Sequence, residues 1–239
     1  MATIPAAPVG PIFETGTRMA REEFHRLYEL EPEEIKAELV GGTVYVASPL
    51  RRRHGIVHLN LGAVFAAYMG GTQGVEAGDN ATVLLGPDAE PQPDLYLRIL
   101  PESGGRSGTT DGDYVDGPPE FLAEISVSTQ DLDLQSKQDL DLQSKLEDFI
   151  KYGVLEYLVV CPVERELHWF DLSQRQPLHP DADGIYRIRT FPGMWIDGAA
   201  LLDGDYPRLM AALQAGLASA EHAEFVRRLA AQLDRRQPQ

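Results

Sequence analysis

The chain has 239 residues, 43% apolar and 24% charged, and its 21 basic against 37 acidic side chains give a formal charge of −16. That length holds one domain of about 200 residues, or a domain with tails, and no apolar run approaches the roughly 20 residues of a membrane helix. The lone Cys161 excludes an intramolecular disulfide, and the acidity excludes tight, non-specific binding of long duplex DNA by a monomer, because phosphate binding normally leaves a basic footprint. The Ala- and Pro-rich start, Met1 to Phe13, lacks the basic and apolar regions of a signal peptide, so a cytoplasmic protein is expected.

After that start, Met19, Phe24, Leu27 and Tyr28 recur at helical spacing and predict a helix over 18–30. Glu38 to Val46 reads as a hairpin turning at Gly41-Gly42. Arg51-Arg52-Arg53-His54 is the chain's basic cluster, serving as a phosphate contact or as a solvated turn. Gly55 to Met69 is a long amphipathic helix stopped by Gly70-Gly71. His54 and His58 stand four apart, a spacing that suits zinc, but with no further ligand motif they read as solvated histidines beside the arginines, His54 lining a cleft. Strands follow at 74–77 and 81–85, and a third begins at Asp94; the glycine-rich stretch 103–119 has no periodicity and reads as a surface loop. Phe121 to Ser126 is a strand, then come a helix ending near Tyr152-Gly153 and strands at 156–161, 166–172 and 186–190. Trp169 and Trp195 are expected in the core. From Asp205 the chain turns helical, and the stripe Phe225, Val226, Leu229, Ala230, Leu233 must pack on the body or on another subunit.

Chemistry concentrates at two acids. Asp94 lies in Gln92-Pro93-Asp94-Leu95-Tyr96-Leu97 and Glu124 in Phe121-Leu122-Ala123-Glu124-Ile125-Ser126. An acid in an apolar strand loses hydration, a cost that needs compensation. Two such acids on strands that can pair suggest a shared hard cation, Mg²⁺ or Mn²⁺, which one or two carboxylates hold while waters face a phosphate. A lysine-bearing helix follows, with an octad duplicated over 131–146 that offers both Lys137 and Lys145. Proline-aspartate, strand glutamate and lysine are the raw material of a metal-dependent phosphodiesterase.

In their order and spacing these pieces resemble the Uma-two family of restriction-endonuclease-like proteins, within the PD-(D/E)xK nuclease superfamily. The matching residues are Glu38-Leu39-Val40-Gly41-Gly42, Ser48-Pro49 with His54, Gln92-Pro93-Asp94, Pro118 to Ser126, Ser128-Thr129 and Lys145 with Tyr152 to Tyr157. They span about residues 17 to 202. The resemblance implies an α/β (α+β) fold with a central mixed sheet flanked by helices, a metal site of Asp94 and Glu124, and Glu38 as a further acid. Ser126 stands where the superfamily's usual lysine would be, and the family's lysine is displaced onto the next helix, which fits Lys137 or Lys145.

The chain is therefore expected to comprise a flexible lead (1–16), a nuclease-like domain (17–202) and a C-terminal helical extension (203–239). The expected function is a Mg²⁺- or Mn²⁺-dependent endonuclease with Asp94, Glu124, a lysine and Glu38 at its centre. Arg51, Arg52, Arg53 and His54 would meet substrate, with DNA bound weakly by a homodimer formed through the C-terminal helices. The net charge favours the alternative of a silent nuclease fold kept for binding or regulation; a small-phosphoester hydrolase is a third reading. Eight residues of helix move a side chain about 12 Å and 80°, so only one lysine serves. Lys145 is preferred, because an extra octad is absorbed more cheaply in the connection before the helix than inside it.

Overall fold

A computed structural model describes residues 13–32, 34–126 and 140–236. In chain order come α1 (Arg21–Tyr28), β1 (Ala37–Val40), β2 (Thr43–Val46), α2 (Arg52–Gly71), β3 (Val75–Asp79), β4 (Val83–Leu84), β5 (Leu95–Ile99), β6 (Gly108–Thr109) and β7 (Val115–Asp116). Next are β8 (Phe121–Ile125), α3 (Leu140–Tyr152), β9 (Glu156–Cys161), β10 (Glu166–Asp171), β11 (Gln176–Leu178), β12 (Ile185–Arg187), β13 (Trp195–Asp197), α4 (Gly198–Asp203), α5 (Tyr206–Leu217) and α6 (Ala220–Arg236).

The central sheet has six strands in the order β11-β10-β9-β8-β5-β3. Only β8 and β9 run parallel, joined through α3, and the other neighbours are antiparallel. Strand alternation divides each central strand between two cores. Phe121, Ala123 and Ile125 of β8 join Leu158 and Val160 of β9 on the face covered by α2, α5 and α6, while Leu122, Tyr157, Val159 and Cys161 face Phe149 of α3. With both faces covered, every residue of β9 is buried, as near-continuous apolar strands require. This is the α/β architecture with a mixed sheet and flanking helices. Among the described residues no helix is long and apolar enough to cross a membrane.

The β1–β2 hairpin stands apart from this sheet. Gly41 and Gly42 both take positive φ, 55° and 73°, which a two-residue hairpin turn of the favoured twist demands. Leu39 and Val44 pack with Phe13 and Phe24 into a small core of their own.

Several expectations need correction. The stretch 103–119 is not a bare surface loop: β6 and β7 add to β4 as a small sheet, and Ser107 and Val115 are buried. The buried Arg98 holds it, donating to Gly108 O and, at 2.8 Å, to Thr109 Oγ1. Trp195 is only half-buried, with the Arg187 guanidinium 3.6 Å from its ring centre and its Nε1–H bonded to Glu221; Trp169 is in the core as expected. Of the two packings expected for the α6 stripe, the one on the body is seen for Phe225 and Leu229, which join the same core as α2 and α5; Val226 and Leu233 are half-buried and Ala230 is exposed. The first octad copy, with Lys137, lies outside the described residues.

Candidate active site

Asp94 and Glu124 are brought together by register. β5 pairs with β8 through Leu95↔Ala123 and Tyr96↔Leu122; Asp94 stands one residue before Leu95, and Glu124 one residue past Ala123. Within β8, Glu124 alternates with Leu122 onto the α3 side. Both acids line a cleft of about 610 Å³, with Glu38, His54 and Ile125 among its walls.

Glu38 enters from the hairpin. Ala37 and Leu39 turn into the small core, so alternation sends Glu38 the other way. α3 supplies the cation: Lys145 Nζ lies 2.6 Å from Glu38 Oε1 and 3.2 Å from Glu124 Oε1. α3 also ties down the hairpin, because Asp148 Oδ2 accepts the Gly41 amide at 2.6 Å. The cluster thus joins four segments far apart in sequence: β1, the entry to β5, β8 and α3.

The two central acids differ electrostatically. Burial pushes the Asp94 carboxyl up, but hydrogen bonds from the His54 ring (3.2 Å) and the Ile125 amide (2.7 Å) outweigh it, leaving Asp94 below the ordinary aspartate range. Burial pushes Glu124 up to about 8; Lys145 opposes this, while Asp94 and Glu38 add to it. Three carboxylates facing one ammonium leave surplus negative charge in a mostly buried cleft, a cost that a proton or a cation offsets. Oxygen donors from carboxylates are the set that hard divalent ions prefer, so the residues present fit Mg²⁺ or Mn²⁺.

In the basic cluster the arginines and the histidine part ways. Arg51 precedes α2, Arg52 and Arg53 form its first turn, and all are exposed. They do not line the cleft, but Leu50 and His54 on either side of them do. His54 is not solvated: it is 3% exposed, and its Nε2 reaches Asp94. His58 Nε2 meets the Asp94 main-chain carbonyl at 3.0 Å. A signal for this was available, because His54 sits three residues before Val57 and seven before Leu61, on the buried stripe of α2.

Comparison with known proteins adds independent information. The crystal structure of "a putative nuclease belonging to DUF820" from Anabaena variabilis ATCC 29413 superposes with a TM-score of 0.59, at 16% identity, covering 77% of this chain and 99% of the other. At that identity the likeness is one of fold. No curated protein matches. A family described as "Uma2: Putative restriction endonuclease" matches residues 21–200, a span that contains the hairpin acid, the Asp94–Glu124 pair, the α3 lysine and α2. With the greater part of its length matched, the chain belongs to the Uma2 family of restriction-endonuclease-like proteins.

Proposed function

We propose that this protein is a Mg²⁺- or Mn²⁺-dependent endonuclease acting on DNA. The observation that carries the reading is the convergence of Asp94, Glu124 and Glu38 on one cleft with Lys145 seated between two of them. Asp94 and Glu124 would hold the cation, with Glu38 as the third acid. A divalent cation at such a site supplies neutralisation of phosphate charge and an acidified water.

The chain's own groups do the rest. Asp94 is kept ionised by its hydrogen bonds and is ready to bind. Glu124 carries a proton near neutral pH in the metal-free protein and releases it when the site is loaded. Lys145, oriented by two carboxylates, presents an ammonium to the developing charge of the scissile phosphate, the kind of preorganised donor that lowers a barrier without reorganisation. Arg51, Arg52 and Arg53 stand exposed at the surface beside the cleft to meet flanking phosphates. With a net charge of −16, binding to DNA would be weak, dependent on metal and steeply salt-sensitive.

One observation favours the second reading, a silent module: Lys145 pairs with both Glu38 and Glu124 and so neutralises part of the charge that would draw a cation. A supercoiled-plasmid nicking assay decides between them. Nicking in Mn²⁺ that vanishes in EDTA and in Asp94→Asn supports the enzyme; intact plasmid with Mn²⁺ bound supports the module.

A further inference from the structure

Helix α2 grips Asp94 at two points. His54 Nε2 lies 3.2 Å from Asp94 Oδ2 and 3.2 Å from Oδ1. One turn later His58 Nε2 meets the main-chain carbonyl of the same residue at 3.0 Å. The His54 ring is almost fully buried and its Nδ1 has no hydrogen-bond partner among the described residues. An aspartate has two rotatable side-chain bonds, and a donor spanning both oxygens from a buried ring removes that freedom.

We propose that His54 is a positioning residue, fixing the Asp94 carboxylate in the orientation that holds the cation. The proposal rests on the reading of Asp94 as a metal ligand given above. A carboxylate has about four lone-pair sites; the Ile125 amide and His54 occupy those facing sheet and helix, leaving the remainder for the cleft.

The competing arrangement is a three-donor site in which His54, His58 and Asp94 themselves hold an ion, since one ligand atom from each lies within 4.8 Å of the others. The unpartnered Nδ1 argues against it. Ligation through Nε2 would place the ring proton on Nδ1, where it would be buried without an acceptor among the described residues, whereas metal-bound histidines almost always donate their second N–H to a carboxylate, carbonyl or water. With the proton on Nε2, only a bare nitrogen lacks a partner, a smaller cost than an orphaned N–H.

The test is Mn²⁺ titration calorimetry on wild type, His54→Leu and His54→Gln, with long-range ¹H–¹⁵N spectra of the ring nitrogens in metal-free wild type. The expected result is a proton on Nε2, an about 10- to 100-fold weaker Mn²⁺ affinity in His54→Leu at unchanged stoichiometry, and recovery of most of that loss in His54→Gln, whose amide can donate from nearly the same place. A histidine that only stabilised the fold would lower the melting temperature and leave the affinity of the folded protein unchanged. Should His54→Leu fail to fold, near-native affinity in His54→Gln together with the Nε2 proton supports the proposal, and a proton on Nδ1 overturns it. Equal affinity in wild type and His54→Leu overturns it while leaving the metal site standing. Loss of one equivalent of ion in both variants makes His54 a ligand and overturns it too. Failure of wild type to bind Mn²⁺ removes the metal reading itself, and the proposal with it.

Discussion

The main-chain amide of Ile125 donates to the carboxylate of Asp94 at 2.7 Å, so the peptide that follows Glu124 also holds the acid on the neighbouring strand. The two acids are coupled through backbone as well as through charge, and variants of either must be read with that in mind.

Asp94→Asn is expected to weaken Mn²⁺ binding on the order of 100-fold or more, since a charged ligand becomes a neutral amide. It also exchanges charge-assisted bonds from His54 and Ile125 for weaker ones, at about 1–2 kcal/mol of metal-free stability. Calorimetry and thermal melts in EDTA check the two halves separately.

Glu124 sets a pH dependence with a definite sign. Its folded value near 8 lies above the ordinary 4.5, so between those values the folded state holds the extra proton and metal-free stability falls as pH rises. Urea unfolding in EDTA from pH 5 to 8.5 should show this fall, and Glu124→Gln should remove part of it. The difference between the two proteins is the readout, because the buried carboxyls of Glu90 and Glu156 are raised as well. Asp94, being lowered, acts in the opposite direction and only at acid pH, where its stabilisation is lost as pH falls. In the same frame, Mn²⁺ binding at pH 7 should release about one proton, measurable by calorimetry in buffers of differing ionisation enthalpy.

Lys145→Met should abolish nicking while leaving Mn²⁺ binding intact or tighter, because the ammonium competes with the cation for Glu38 and Glu124. Metal-free stability should fall, since two nearby carboxylates lose their partner. Lys137→Ala should leave nicking unchanged. A plasmid assay on both variants decides; activity lost in Lys137→Ala and kept in Lys145→Met would reverse the assignment.

Replacing Arg51, Arg52 and Arg53 together by Ala should flatten the dependence of DNA affinity on salt, by about 0.9 in the log–log slope for each phosphate no longer neutralised. The three side chains are exposed, so the melting temperature should stay within about 1 °C of wild type if they only face solvent. Fluorescence anisotropy with a labelled duplex across a salt series measures the slope.

The acids and the hairpin were legible in sequence because their signals are local. Asp94 and Glu124 each interrupt an apolar strand, and Gly41-Gly42 permits few conformations other than a turn. Acid in an apolar strand is nevertheless an imperfect signal. Glu156 is buried at the start of β9, yet its bonds go to the Thr190 amide and hydroxyl and to the Trp169 ring N–H, which makes it a structural acceptor. What distinguishes Glu124 is an ammonium partner at the wall of a cleft, information held 21 residues away in Lys145. The small β4–β7–β6 sheet was not legible because strands of two residues are too short to show alternation. The burial of His54 was legible in principle, but beside three arginines its place on the apolar stripe of α2 is easily overlooked. Nor did the stripe on α6 say what it packs against: Phe225 sits beside Phe191 of the same chain, a pairing across 34 residues that periodicity alone does not encode.

The hairpin that carries Glu38 has its own apolar cluster and pairs with no strand of the central sheet. The cleft is therefore shared between two cooperative units, one wall belonging to a small satellite and the other to the bulk of the molecule. Such satellites open at lower free energy than the core they lean on, and the Gly41–Asp148 bond, the Lys145–Glu38 pair and the main-chain bonds of Leu39 with Glu90 and of Gly42 with Asp88 act as latches between the two. Amide exchange in β1 and β2 should accordingly be faster than in β8 and β9, and slow when a cation draws Glu38 toward its partners. Entry of a bulky polymer would then be a matter of unlatching a hairpin, with no need to disturb the sheet that holds Asp94 and Glu124.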